Sequence, residues 1–117
     1  MLDSFRLNTK EIEGVVIVQT DGYIDNSAGD EIAELCLDLI SKNKKNILFD
    51  FGKSKVINSV GVSVFIEVIE KLQAVQGSIG FFNLIPIVKK TFEIMGITKY
   101  SKIYEDEKSA VEAMGKR

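Results

Sequence analysis

The stretch Asn46-Ile47-Leu48-Phe49-Asp50-Phe51 constrains this chain more than any other. Successive side chains of a strand point to opposite faces, so apolar residues at consecutive positions need cover on both sides. Such a strand lies inside a sheet with helices packed against it. Val15-Val16-Ile17-Val18, bounded by Gly14 and by Asp21-Gly22, has the same β-branched character. Between the two runs the period changes. Ile32, Leu35, Cys36, Leu39 and Ile40 recur at helical spacing. The change repeats downstream: Val64, Phe65, Val68, Ile69, Leu72 and Val75 form a second helical face that stops at Gly77. Ser78 to Asn83 forms the next strand. Pro86 opens a helix carrying Val88, Thr91, Phe92 and Met95 on one side, and Gly96 closes it. Ile103-Tyr104 is a last short strand, followed by a helix from Glu107 to Met114.

At the start of the chain, Phe5-Arg6-Leu7 alternates weakly and predicts a short edge strand that turns between Asn8 and Glu13. The order β-β-α-β-α-β-α-β-α predicts an α/β fold, a mixed sheet of four to five strands with an N-terminal edge hairpin and packed helices. A chain of 117 residues is one domain, 1–117, and large enough to fold without a metal or a disulfide. Asn26-Ser27 supplies N-cap chemistry for the first helix. Asp30, Glu31 and Glu34 near its start and Lys42, Lys44 and Lys45 at its end match the helix dipole.

Composition then removes whole classes of function. There is no His, so His-based triads, His-ligated metals and His pH switches are excluded. The single Cys36 forms no internal disulfide or thiolate zinc cluster, and its place on a helical face reads as a small buried hydrophobe. A net charge of −2 offers no basic footprint for nucleic acid. Asp3, Arg6 and Lys10 interrupt the N-terminus, so no signal peptide is expected, and no apolar run reaches membrane-spanning length. A cytoplasmic protein is the expectation.

Three spots after strands offer chemistry: Asp25, Asp50 and Asn58-Ser59. Asp50-Phe51-Gly52 spells the magnesium triplet of kinases, yet the phosphate loop and catalytic loop that give it meaning are absent. No phosphate-binding loop or dinucleotide fingerprint occurs elsewhere, and enzymatic activity is not expected. Asn58-Ser59-Val60-Gly61 stands directly before a helical period. Two readings of it stay open on the residues alone. It is a plain helix cap, or it is a phosphoacceptor whose added charge the helix N-terminus would stabilise.

The order and spacing of these spots resemble the bacterial anti-sigma factor antagonists, the single-domain members of the STAS family. Gly22-Tyr23-Ile24-Asp25 is similar to the family's Gly-x-Leu-Asp, and Ile47-Leu48-Phe49-Asp50 to its hydrophobic strand ending in Asp. Asn58-Ser59-Val60-Gly61 lies where the family has Asp-Ser-x-Gly, and the stretch from Asn83 through Pro86 to Gly96-Ile97 matches its later Pro-opened helix. The resemblance implies Ser59 as a phosphorylation switch, with Asp25, Asn58, Ser59 and Gly61 at the partner surface. It implies binding, when unphosphorylated, to an anti-sigma factor that is also a serine kinase, and resetting by a serine phosphatase. Nucleotide and magnesium belong to that kinase, so the chain itself needs no cofactor. The departure is Asn58 for Asp, which keeps the cap and removes one charge beside the serine. The alternative expectation is a STAS accessory subunit of a transport or signalling complex with no phosphorylation cycle. A flavodoxin-like enzyme or ligand binder is the third and least supported.

Overall fold

A computed structural model of the chain describes residues 4–115, so Asp3 and both ends of the expected 1–117 domain lie outside the described residues. Within them five strands form one sheet in the order β1-β2-β3-β4-β5. The strands are β1 (Arg6–Ile12), β2 (Val15–Asp21), β3 (Asn46–Lys53), β4 (Ser78–Phe82) and β5 (Lys102–Tyr104). Helices α1 (Asn26–Ser41), α2 (Ser59–Ala74) and α3 (Pro86–Ile94) link the parallel strands β2 to β5, and α4 (Glu107–Met114) follows β5. This is the mixed α/β sheet that the alternating periods predict.

The two-sided apolar strands have the physical basis expected of them. Val16, Val18, Ile47, Phe49, Phe51, Ile79 and Phe81 face a large core with residues of α1, α2 and α3. The intervening Val15, Ile17, Leu48 and Phe82 pack with Ala110, Val111 and Met114 of α4 on the opposite face. Phe49, Phe51, Phe65, Phe81 and Phe92 form a contiguous aromatic cluster, its paired ring centroids 5.0 to 5.9 Å apart in mostly edge or tilted geometry.

Four local expectations need correction. The first strand is longer than Phe5-Arg6-Leu7 and the segment from Asn8 is not a turn: the strand spans Arg6 to Ile12 and pairs antiparallel with all of β2. Its turn is the pair Glu13-Gly14, with φ of 50° and 81°, the conformation that suits the twist of a two-residue hairpin. The N-cap of α1 is Asp25, not Asn26-Ser27: its carboxylate accepts from the Ala28 N–H at 3.0 Å. Lys44 and Lys45 lie beyond the end of α1 and pair across elements, with Glu11 and with the Val75 carbonyl, while Lys42 pairs with Asp38 one turn back. The acidic residues likewise begin after the first turn of α1, which holds none. The helix opened by Pro86 ends at Ile94, so Met95, expected on its apolar side, is the C-cap instead and is 47% exposed, with Gly96 following at φ 79°.

Candidate functional site

The candidate residues meet where α1 and α2 begin, side by side at the C-terminal ends of β2 and β3. Two short loops lead there, and backbone bonds tie them together. The Ile24 N–H donates to the Val56 carbonyl at 3.0 Å, the Asn58 N–H donates to the Ile24 carbonyl at 3.1 Å, and Ile24 and Ile57 form a parallel bridge. Ile24 is fully buried beneath this bridge. The helix starts are therefore held by the sheet and its core, not by flexible loops.

Each start is capped by the residue the chain offers for it. Asn58 Oδ1 accepts from the Gly61 N–H at 2.9 Å, as its place before the apolar period predicts. Asp25 does the same for α1, one residue earlier than Asn26. The Asn58 amide also donates to Asn26 Oδ1 at 3.3 Å, linking the two helix entries directly. The helices approach closely because of two glycines. A methyl group at Gly61 would stand 2.7 Å from the Ile24 carbonyl oxygen, and one at Gly29 would stand 2.9 Å from a Val64 methyl carbon.

Ser59 is the first residue of α2 and is exposed. The first intrahelical bond of α2 runs from the Val62 N–H to the Asn58 carbonyl, and Asn58 Oδ1 takes the Gly61 N–H. The N–H groups of Ser59 and Val60 precede that ladder and have no carbonyl within the helix to reach. With the positive end of the helix dipole, they make the start of α2 a place where added negative charge is favourable. The neighbouring serines are committed elsewhere. Ser54 is 2% exposed, accepting from the Thr20 hydroxyl at 2.8 Å and donating to the Gly22 carbonyl at 2.7 Å. Ser63 donates to the Val60 carbonyl at 2.7 Å. Around Ser59 the two bridged loops expose Tyr23 (49%) and Val56 (57%), and the first turn of α2 exposes Val60 (42%), large apolar side chains left uncovered.

The structure thus brings Asn58, Ser59 and Gly61 together with Asp25 across the paired helix starts. It does not bring Asp50 into that group. The Asp50 carboxylate accepts from the Gly52 N–H at 2.8 Å and from the Asn83 amide at 2.9 Å, while Phe51 is core, so the Asp-Phe-Gly triplet is a strand-end motif. Cys36 is buried and its thiol is pushed up to about 12 by that burial. Among the described residues no three His, Cys, Asp or Glu side chains gather as a metal site, and no helix is long and apolar enough to cross a membrane. One signal in the sequence stands out only once the helices are paired: Asn-Ser-x-Gly occurs twice, at 26–29 and at 58–61.

A five-stranded mixed sheet that presents an exposed serine beside two joined helix starts, with exposed apolar side chains nearby, defines a small α/β domain. The chain belongs to the STAS domain family, whose model matches residues 6–110. Solved structures agree on the fold. An anti-sigma factor antagonist from Mycobacterium paratuberculosis superposes with a TM-score of 0.83 at 20% identity, covering 95% of this chain and 94% of its own. A candidate anti-sigma factor antagonist from Thermotoga maritima gives 0.86 at 16% identity, covering 95% of each chain. The Bacillus cell fate determinant SpoIIAA gives 0.73 at 22% identity in its phosphorylated form, covering 94% of this chain and 98% of its own. In its unphosphorylated form, where it is described as an anti-sigma factor antagonist, it gives 0.74 at 21% identity and covers 94% and 96%.

Proposed function

We propose that the chain is an anti-sigma factor antagonist working as a phosphorylation-switched binding module. With Ser59 free it binds an anti-sigma factor that is also a serine kinase, which releases the sigma factor for transcription. Phosphorylation of Ser59 separates the pair, and a serine phosphatase resets the module. Asp25, Asn58, Ser59 and Gly61 shape the contact surface, Ser59 directly and the others by setting the two helix starts. On this reading the chain is no enzyme and holds no cofactor. Residues 1–117 act as one unit in the cytoplasm, with neither nucleic acid nor membrane as partner.

The observation that carries the reading is the contrast among neighbouring serines: Ser59 is exposed at a helix start, while Ser54 is buried and Ser63 is bonded to its own helix. A phosphate there adds roughly −1.5 to −2 of charge. The N–H groups of Ser59 and Val60 stabilise it locally, so α2 stays folded and the switch acts through the surface. A partner covering Tyr23, Val56 and Val60 would remove water from the same spot, and an unpaired charge in a desolvated contact is strongly unfavourable. Structural neighbours that are anti-sigma factor antagonists, one of them also solved in a phosphorylated form, support the same reading.

The test is incubation with magnesium-ATP and a serine-kinase anti-sigma factor, followed by intact mass and fragment mapping. The expected result is that the first phosphate enters at Ser59 and that Ser59→Ala loses it. A first phosphate that enters Ser59→Ala at the wild-type rate overturns the assignment. Asn58, where the family motif has Asp, favours the second reading, an accessory STAS subunit without a cycle. Stable partner binding with no phosphate incorporated would decide for it.

A further inference from the structure

The two edges of the helical layer carry opposite surfaces. α1 links β2 to β3 and α3 links β4 to β5, so they lie on either side of α2 over one face of the sheet. The three most exposed large apolar side chains among the described residues, Ile94 (72%), Ile87 (65%) and Tyr100 (63%), lie on α3 or just after it. Ile87, Thr91, Ile94 and Met95 recur at i, i+4, i+7 and i+8, a stripe beside the buried pair Val88 and Phe92. Between this segment and α2 runs a groove of about 360 Å³, lined in part by Ile66, Ile69, Met95 and Tyr100. Its surroundings are basic within a chain of net charge −2: residues 86–102 hold Lys89, Lys90, Lys99 and Lys102 against Glu93. Glu70 on the α2 wall still leaves this face net positive.

The α1 edge is the reverse. This helix carries Asp30, Glu31, Glu34 and Asp38 and neither Lys nor Arg. Asp30, Glu34 and Leu37, at i, i+4 and i+7, share one exposed stripe, so an apolar side chain stands among acids. Among the described residues, Asp30, Glu31, Glu34 and the lysines of 86–102 enter no ion pair. These complementary faces cannot meet within one chain, because α2 separates them. We propose that they meet between copies: α1 of one chain docks on the α2–α3 groove of the next. Leu37 enters between Ile66, Met95 and Tyr100, while Asp30 and Glu34 face Lys90 and Lys99. Charge complementarity selects this occupant, since a second copy supplies both the acids and the apolar anchor that the groove calls for. The two surfaces differ, so the contact is heterologous. Each one leaves an α1 face and a groove free, and copies add in a row or close into a ring. Ser59 takes no part, so the inference stands apart from the switch.

The experiment is sedimentation velocity of the full chain over about 10 to 1,000 μM, because exposed ion pairs are individually weak and the association is expected only at high concentration. In low salt the average mass should rise with concentration and pass that of a dimer. Raising salt from about 0.05 to 0.5 M should weaken the association at least fivefold, as screening shortens the reach of exposed charges. One variant reverses the α1 face, Asp30→Lys with Glu34→Lys, and another reverses the groove, Lys90→Glu with Lys99→Glu. Each alone sets like charges against each other and should associate at least ~10-fold more weakly than wild type. Their equimolar mixture pairs opposite charges at every contact and should regain association near the wild-type level. Circular dichroism checks that both variants fold, and the mixture distinguishes a lost contact from a damaged protein. Wild-type chain that stays monomeric throughout overturns the inference. So does association that survives either reversal, or a mixture that remains as weak as its components.

Discussion

Gly61→Ala isolates the feature that joins the two helix starts. An added methyl would sit 2.7 Å from the Ile24 carbonyl oxygen, 2.9 Å from Ile24 Cγ2 and 3.0 Å from Ile57 Cγ1. The nearest atom is backbone, and that same oxygen accepts the Asn58 N–H, so relief means moving the bridge between the loops. Overpacking of this kind costs about 1–3 kcal/mol. Replacing a helical glycine by alanine returns up to ~1 kcal/mol of propensity. The balance is a net loss of about 1–2 kcal/mol, a fall in Tm of roughly 4–10 °C for a domain of this size. Gly29→Ala is the internal control. Its methyl meets a Val64 side-chain carbon at 2.9 Å, and a side chain can turn aside where a carbonyl cannot. It should lose less than about 1 kcal/mol, the cost of a tolerated core adjustment. Urea unfolding followed by circular dichroism measures both. A Gly61→Ala protein as stable as wild type, or more so, would refute the claim that this contact clamps the helix starts.

Other outcomes follow from the same geometry. Asn58→Asp keeps an equivalent cap and should change stability by under ~1 kcal/mol in urea melts. The same substitution should raise the rate of Ser59 phosphorylation by a kinase adapted to Asp-Ser-x-Gly, read by timed mass spectrometry. Burial raises the Cys36 thiol to about 12, so it should resist alkylation near neutral pH in the native protein and react readily in urea. The Ser109 N–H holds the Asp106 carboxyl below its ordinary range, so the cap of α4 strengthens the fold above that range and weakens as pH falls through it. The protection of α4 amides, corrected for the intrinsic exchange rate at each pH, should therefore fall toward acid pH, and Asp106→Asn should flatten that dependence.

The sheet was legible because Phe49 and Leu48 need cover on opposite sides, and only helices on both faces supply it. The Ser59 helix start was legible because the polar pair Asn58-Ser59, both able to cap, stands directly before an apolar helical period, and the structure uses Asn58 as the cap. What escaped was decided by partners distant in sequence. Arg6 to Ile12 is mostly exposed and lacks a clean period, so its strand character comes from pairing with β2. Asp25, Asn26 and Ser27 can all cap a helix, and the choice of Asp25 follows from the bridge between Ile24 and Ile57, which local sequence does not encode. Lys44 and Lys45 read as the end of a helix and instead meet Glu11 and Val75 across the fold. The pairing of the two Asn-Ser-x-Gly segments likewise required the packed helices.

Binding of a serine-kinase anti-sigma factor to Ser59→Ala and Ser59→Asp, compared by calorimetry in the absence of ATP, tests the central claim most directly. The account predicts that Ser59→Ala binds as wild type does and that Ser59→Asp binds at least ~10-fold more weakly, about 1.4 kcal/mol, because its carboxylate enters a desolvated contact without a cation. Equal affinities for the two variants would contradict it.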